Sequence, residues 1–210
     1  MRGQSERPNP ARYDSLSRYY DVLIDPVQRR FRGRGIDRLD AATGETVLDV
    51  GCGTGRGLAT LRRAVGPTGH VVGLDAAARM CRRTRSRLGD RASVVRGDAV
   101  RLPFRTDRFD AVLVSFTLEL FGDDARSALL EELHRVLGPH GRICIIAPTE
   151  SRDPFGWLYA GLNHAMPTLV DSRPVDVREE LIAAGFRLDQ IVVERVVVVP
   201  VAIVTADPTS

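Results

Sequence analysis

The sequence "VLDVGCGTGRGLATL", residues 47–61, contains the clearest indication of the fold class. An apolar run is followed by three glycines within five residues, Gly51, Gly53 and Gly55. The run before the glycines predicts a buried strand, and the residues after them predict a helix that stops at Gly66-Pro67. In α/β proteins, ligands bind outside the carboxyl ends of the strands, where a glycine-rich turn lets them approach the backbone. The stretch therefore predicts a ligand site at the end of the first strand of an α/β sheet.

The spacing of the glycines narrows the class of ligand. The pattern is G-x-G-x-G after Asp49, whereas a dinucleotide fingerprint reads G-x-G-x-x-G. Counted from Gly51, the sixth position is Arg56. The glycine that allows close packing of helix and strand near a pyrophosphate is therefore missing. This favours a ligand without a pyrophosphate and disfavours NAD.

Acidic residues close the next two predicted strands. Asp75 ends the second, twenty residues after Gly55, and Asp98 ends the third. A carboxylate in the first position can accept hydrogen bonds from both hydroxyls of a ribose. Asp98 is placed to accept from the exocyclic amine of an adenine. The three strand ends together predict a site for an adenosine with a short tail that carries no phosphate.

The rest of the chain predicts a doubly wound α/β sheet. Apolar runs alternate with helical segments, which is typical of a parallel sheet covered on both faces. The last two runs are separated by almost no loop and predict an antiparallel hairpin. We therefore predict a mostly parallel, seven-stranded sheet with an antiparallel last strand. The predicted strands are 45–50, 70–75, 92–98, 109–116, 141–147, 186–196 and 198–206.

Length and local composition predict one domain over residues 12–210, after a disordered polar tail at 1–11. Residues 12–42 carry aromatic and aliphatic side chains at helical spacing and predict a helical lid. Residues 148–174 lack clean periodicity but are aromatic, with Trp157 and Tyr159, and predict a substrate cap. We expect both segments to cover the ligand site.

Composition excludes several chemistries. All 30 basic residues are arginine, so neither a Schiff-base lysine nor a phosphate-binding P-loop is available. The three cysteines form no C-x-x-C pair, which predicts neither a zinc site nor a disulfide framework and favours a cytoplasmic location. We expect no metal. No signal peptide is visible, and no apolar run approaches the roughly 20 residues of a membrane span.

The arginines are concentrated in the first half of the chain. Residues 1–108 contain 22 arginines against 12 acids, and the densest run is "RMCRRTRSRLGDR", residues 79–91. A solvated helix face is the favoured interpretation of such a run. An anionic membrane, a nucleic acid or an acidic partner is the alternative. We expect no nucleic-acid partner and keep peripheral contact with an anionic membrane open.

Five segments in order resemble the class I S-adenosylmethionine-dependent methyltransferases, over about residues 13–206. They are "VLDVGCGTG", "VVGLDAAARM", "VVRGDAVRLPF", "FDAVLVSF" and "LHRVLGPHGRICII". The resemblance implies a Rossmann-like methyltransferase fold and S-adenosylmethionine as cofactor. It implies that Asp75 holds the ribose, that Ala76 and Met80 flank the adenosine, and that Asp98 and Ala99 lie at the adenine.

Within that family, the chain most resembles the C-methyltransferases of menaquinone and ubiquinone biosynthesis. "SLSRYYDVL" is similar to their N-terminal helix, which implies that Tyr20 closes over the methionine end of the cofactor. Ser115 matches a serine at the end of their fourth strand, and we predict that it contacts the cofactor, as do Asp49 and the three glycines of the first motif. Where those enzymes continue with Gly-Leu-Arg-Asn, this chain reads "FTLELF". The departure concerns the acceptor and leaves the cofactor unaffected.

The acceptor side is less determined by the sequence. Glu119, just past the fourth strand, and His164, in the predicted cap, are the candidates for a catalytic base. The sequence also allows Glu119 to be a helix-start acid or ion-pair partner and His164 to be structural or solvated. An Asp/Asn-Pro-Pro-Tyr motif is absent after strand four, which disfavours methylation of nucleobase amines.

We therefore predict methyl transfer to an apolar small molecule, with a prenylated quinone precursor as the first choice. A natural-product or phospholipid-headgroup methyltransferase is the alternative enzyme. A catalytically silent cofactor-binding partner protein is the alternative from another class.

Overall fold

The structure is a computed structural model, and it describes residues 25–149, 174–196 and 199–209. Five helices and seven strands alternate along these residues. Two single 3₁₀ turns, Gly89–Arg91 and Leu118–Leu120, interrupt the connections. The elements are α1 Asp25–Leu39, β1 Thr46–Val50, α2 Arg56–Ala64, β2 His70–Asp75, α3 Ala78–Leu88, β3 Ser93–Arg96, β4 Phe109–Ser115, α4 Asp123–Val136, β5 Leu137–Pro148, α5 Val177–Ala183, β6 Phe186–Val196 and β7 Val199–Pro208.

All seven strands form one sheet in the order β3-β2-β1-β4-β5-β7-β6. The first five strands pair in parallel, and β7 runs antiparallel to both β5 and β6. The predicted fold class is thereby confirmed. The strand order reverses between β1 and β4, so the glycine turn after β1 lies at the topological switch point, where ligands bind in such sheets.

Two apolar layers cover the sheet. Because successive side chains of a strand point to opposite faces, β1 contributes Val47 to one layer and Leu48 to the other. Helices α1 and α2 pack on the first face, for example through Phe31 and Leu58, and helices α4 and α5 pack on the second. Burial on both faces explains why the strand sequences are almost continuously apolar.

The end of β3 and the start of β5 are among the strand boundaries that differ from the sequence prediction. β3 ends at Arg96, so Asp98 lies two residues past the strand, in a turn where it forms an isolated bridge with Arg101. β5 begins at Leu137, directly after α4, because Phe109 of β4 already pairs with Leu137. The register then shifts between Phe109 and Ala111, and the Gly138-Pro139 segment lies in that irregularity as part of β5.

Several predictions fall on residues that the structure does not describe. The tail at 1–11, Tyr20, His164, Trp157, Tyr159 and most of the 148–174 cap are outside the described residues. In the described part of the chain, no helix is long and apolar enough to cross a bilayer.

Candidate functional site

The turn after β1 has the backbone that its glycines predict. Gly51, Gly53 and Gly55 have φ values of 71°, 54° and 75°, a region that residues with a Cβ rarely adopt. The Gly51 and Cys52 amides both donate to the Leu74 carbonyl of β2, at 2.8 and 3.1 Å. The turn is therefore fixed to the neighbouring strand before α2 begins.

The three glycines differ in what surrounds them. A Cβ on Gly51 would lie 2.1 Å from Thr117 Oγ1, and one on Gly55 would lie 2.6 Å from Thr84 Cγ2. A Cβ on Gly53 would meet nothing closer than 3.9 Å. Gly51 and Gly55 are thus required by packing against the protein itself, whereas Gly53 borders open space that a ligand can enter.

Asp75 connects β2 to the glycine turn. Its Oδ2 accepts a hydrogen bond of 2.9 Å from the Gly53 amide, and its Oδ1 accepts one of 2.8 Å from the Ala77 amide. Each carboxylate oxygen can accept more than one hydrogen bond, so the side chain can still accept the two hydroxyls of a ribose. The arrangement fixes the orientation of the carboxylate.

The residues assigned to the adenosine lie in the turns after β2 and β3. Ala76 is exposed, and Met80 is buried on the inner side of α3. Asp98 Oδ1 accepts from the Val100 amide at 3.2 Å, and Ala99 is buried. This hydrogen bond within the turn fixes the Asp98 side chain, whose contact with an adenine stays a prediction.

Helix α1 reaches the carboxyl end of β4 through two consecutive side chains. Arg32 Nε donates to Ser115 Oγ at 3.3 Å, and the Phe31 and Phe116 rings meet edge to face with centroids 6.5 Å apart. Phe116 has a φ of 52°, which is rare for a bulky residue and marks a strained backbone at the end of the strand. The described part of the predicted lid therefore contacts the site directly.

Asp49 is a buried carboxyl beneath the glycine turn. It is 2% exposed, and among the described residues its Oδ1 has no hydrogen-bond partner. Burial raises the pKa of Asp49 to about 7; the Arg32 charge works against this rise, and the charge of Asp75 adds to it. An unpartnered buried carboxylate oxygen is costly unless a ligand donor reaches it.

Glu119 is the second buried carboxyl, in the 3₁₀ turn after β4. It is 4% exposed, and its Oε2 also has no partner among the described residues. Burial raises its pKa to about 8, and a hydrogen bond with its own backbone amide offsets part of the rise. The ion-pair alternative for Glu119 finds no support in the described contacts, because no described cation lies within ion-pair distance of it.

Sequence reasoning missed several residues that shape the site. Thr84, in the middle of the arginine-rich helix, and Thr117, after β4, contact Gly55 and Gly51 respectively. Both threonines are buried polar residues. The sequence signals them only weakly. Each is a hydroxyl residue at a buried position, one within a helix and one just after a strand, where an apolar residue would also fit. Which glycine each contacts depends on tertiary packing.

The sheet order, the antiparallel β7 and the glycine turn at the switch point together define the class I S-adenosylmethionine-dependent methyltransferase fold. Residues 47–141 match the methyltransferase-domain family. This segment contains the glycine turn, Asp75, Asp98 and Glu119. Residues 47–141 are thus a methyltransferase domain.

The chain is similar to named proteins in both sequence and structure. It is 32% identical over 67% of its length to a demethylmenaquinone methyltransferase of Oceanobacillus iheyensis, of which it covers 58%. The chain thus spans about three fifths of that relative's length. A similar fold occurs in the solved "Complex between the Haloferax volcanii Trm112 methyltransferase activator and the putative methyltransferase". A chain of that complex superposes with a TM-score of 0.76 at 18% identity, and the match covers 97% of this chain and 99% of that one.

A further solved structure shares the fold and contains a bound product of the cofactor. It is Burkholderia thailandensis 1,6-didemethyltoxoflavin-N1-methyltransferase with 1,6-didemethyltoxoflavin and S-adenosylhomocysteine. It superposes with a TM-score of 0.66 at 21% identity, covering 99% of this chain and 94% of that one. At this identity the likeness concerns the fold.

The residues of this chain fit S-adenosylmethionine. The open side of Gly53 gives access to the backbone, and Asp75 offers oriented acceptors to a ribose. The Asp49 carboxyl is buried beneath the turn, and its contact with the cofactor stays a prediction. The turn lacks the sixth-position glycine that dinucleotide-binding sites use near a pyrophosphate, because Arg56 stands there.

Proposed function

We propose that this protein transfers a methyl group from S-adenosylmethionine to an apolar small molecule. The observation that carries the proposal is the glycine turn, which is held open at Gly53 and closed by packing at Gly51 and Gly55. The cofactor supplies an already activated methyl group, so the protein has mainly to align the acceptor and exclude water. Asp75 would hold the ribose, and Asp49 would lie next to the amino group of the methionine part.

The surroundings of the β4 end support an apolar acceptor. Phe31 and Phe116 meet there, and Leu118 is fully buried beside Glu119. A prenylated quinone precursor is the acceptor that we test first, and the similarity to a demethylmenaquinone methyltransferase supports that choice. A natural-product or phospholipid-headgroup acceptor is the alternative, since the sequence after Ser115 departs from the quinone enzymes.

Glu119 is our candidate for the proton acceptor when the acceptor atom is carbon or a hydroxyl oxygen. A general base works best with a pKa near the working pH, and burial brings the pKa of Glu119 to about 8. His164 is the other candidate, proposed from its place in the predicted cap. Ser115, whose Oγ accepts a hydrogen bond from Arg32 Nε, is proposed as a further cofactor contact.

The test is incubation of the protein with labelled S-adenosylmethionine and either a demethylmenaquinone or a cell extract, followed by mass analysis of what gains a methyl group. Methylation of the quinone supports the first choice, and methylation of another small molecule supports the alternative. Binding of S-adenosylmethionine with no methyl gain in any fraction would instead favour a catalytically silent cofactor-binding partner. A lack of cofactor binding would contradict the proposal.

We also propose a cytoplasmic protein that touches anionic membranes through α3. The three free, buried thiols support a reducing compartment. Arg82, Arg85 and Arg87 are exposed on α3, and Arg85 donates to the Val94 carbonyl and not to a described carboxylate. Co-sedimentation with phosphatidylglycerol vesicles and not with phosphatidylcholine vesicles is expected. If replacing these three arginines by glutamine leaves the binding to phosphatidylglycerol vesicles unchanged, the proposal is contradicted.

A further inference from the structure

The side chain of Thr84 makes an unusual contact for a helical threonine. It is fully buried in the middle of α3, whose outer face is strongly basic. A threonine within a helix commonly bonds a carbonyl of its own preceding turn. Thr84 Oγ1 instead donates to the Gly53 carbonyl, 31 residues earlier in the chain, at 2.8 Å. The hydroxyl thus connects α3 to the glycine turn.

The same side chain contacts a second glycine of the turn. A Cβ on Gly55 would lie only 2.6 Å from Thr84 Cγ2, so the methyl group of Thr84 packs closely against Gly55. One threonine therefore meets both Gly53 and Gly55.

Gly53 is consequently held on both sides by side chains. Its amide donates to Asp75 Oδ2 at 2.9 Å, and its carbonyl accepts from Thr84 Oγ1. The amide and the carbonyl of Gly53 therefore both have hydrogen-bond partners in side chains of the protein, and neither needs a ligand for this. Gly53 is also the glycine of the turn that borders open space. Its left-handed backbone can thus be fixed before any cofactor arrives.

We propose that Thr84 is a positioning residue for the cofactor, and this inference rests on the proposed function. Its hydroxyl holds Gly53 in the conformation that binds S-adenosylmethionine, so binding does not have to order the turn. Fixing a loop in its bound conformation strengthens binding because the ordering cost is met on folding. Thr84 touches the turn and not the reacting atoms, so its effect should appear in cofactor affinity more than in kcat.

The test compares two substitutions that separate the hydroxyl from the methyl group. Thr84→Val keeps the branched shape and removes the hydroxyl, whereas Thr84→Ser keeps the hydroxyl and removes the methyl. Loss of one neutral hydrogen bond predicts that Thr84→Val binds S-adenosylhomocysteine about fivefold to tenfold more weakly in calorimetry. Thr84→Ser should stay within about twofold of the wild type on the same reasoning.

Thr60→Val is the matched control. Thr60 lies on α2, and its hydroxyl bonds the Arg56 carbonyl of its own helix. The same substitution there should leave the affinity for S-adenosylhomocysteine unchanged. An equal loss of affinity in Thr60→Val would overturn the assignment to Thr84.

Amide hydrogen exchange in the cofactor-free protein provides a second measurement. The Gly53 amide should exchange faster in Thr84→Val than in the wild type, while amides in the middle of α4 should keep their rates. Wild-type affinity and wild-type Gly53 exchange in Thr84→Val would overturn the proposal. So would a Thr84→Ser variant as weak as Thr84→Val, because the role would then be packing. If the wild type itself fails to bind, the proposed function has failed, and the exchange rates alone decide whether Thr84 orders the turn.

Discussion

The carboxylate of Asp75 accepts a hydrogen bond from the amide of Gly53, with 2.9 Å between Oδ2 and the nitrogen. The acid that ends β2 and the central glycine of the turn after β1 therefore form one unit. A ligand that binds the open side of Gly53 must lie next to Asp75. The residue that is to hold the ribose thus also shapes the backbone that is to hold the rest of the cofactor.

Replacing Asp75 tests both roles. We expect Asp75→Ala to weaken S-adenosylhomocysteine binding about tenfold to a hundredfold, since hydrogen bonds to a charged group contribute roughly 1.5–3 kcal/mol. The free energy of unfolding should also fall, because the Gly53 and Ala77 amides lose their acceptor. Calorimetry and chemical denaturation measure the two effects. Unchanged affinity would show that the ribose lies elsewhere.

The three glycines of the turn should respond differently to alanine. Gly53→Ala carries only the cost of a left-handed backbone, about 1–2 kcal/mol. Gly51→Ala and Gly55→Ala add a clash with Thr117 and Thr84, which costs about a further 1–3 kcal/mol. Guanidinium denaturation of the three variants gives the order of stability. A Gly53→Ala variant as unstable as the other two would contradict the packing described for the turn.

Of the three variants, Gly53→Ala should nevertheless lose the most cofactor affinity for the stability that it loses. Its new methyl group projects into the open space beside the turn, where we place the cofactor. We expect loss of S-adenosylhomocysteine binding in a protein that remains folded, measured by calorimetry together with circular dichroism. Retained affinity in the folded variant would move the cofactor away from Gly53.

The buried acid Glu119 predicts a pH dependence of stability. An ordinary glutamate has a pKa of 4.5, and the folded-state pKa of Glu119 is about 8. Between these values the folded protein keeps a proton that the unfolded chain has lost. The contribution of Glu119 to stability is therefore greatest below the lower pKa and falls as the pH rises, by at most about 1.4 kcal/mol per pH unit, until it levels off above the higher one.

Glu119→Gln should remove this dependence because its side chain stays neutral. The free energy of unfolding of the variant relative to the wild type should increase by a few kcal/mol between about pH 5 and pH 8. Glu131→Gln, at an exposed position of α4, is the control and should give a constant difference. Parallel curves for Glu119→Gln and the wild type would show that Glu119 is not a buried, protonated acid.

Activity gives an independent test of Glu119. If it accepts the proton of a carbon or hydroxyl acceptor, Glu119→Gln should lose roughly 10²–10⁴-fold in rate. His164→Ala tests the other candidate in the same assay. Full rates in both variants would mean that alignment alone drives the transfer.

The ion pair between α4 and α5 should matter for stability and not for binding. The Arg126 side chain is 9% exposed and donates to Glu180 at 2.7 Å and to the Phe121 carbonyl at 2.8 Å. Arg126→Met should cost about 3 kcal/mol, because it leaves Glu180 without its cation. Arg187→Met breaks the exposed pair with Asp207 and should cost less than about 1 kcal/mol. Equal costs in denaturation would contradict this ranking.

Local patterns in the sequence were sufficient to predict the layers of the fold and the position of the site along the chain. Apolar runs of strand length, glycines and the period of the helices are local signals, and they placed β1, β2, β4 and the last hairpin within one or two residues. The G-x-G-x-G spacing, Asp75 and Asp98 are local signals of the same kind. They were sufficient to predict an adenosine-containing cofactor without a pyrophosphate.

The distant residues that support that site could not be predicted, because they meet it only through the packing of the folded chain. Thr84 contacts the glycine turn although it lies 31 residues after Gly53 in the chain. Thr117, which follows β4, packs beside Gly51, which follows β1. The raised pKa values of Asp49 and Glu119 depend on burial by several elements at once. Contacts of this kind depend on how helices pack on the sheet, and no spacing within a single segment encodes them.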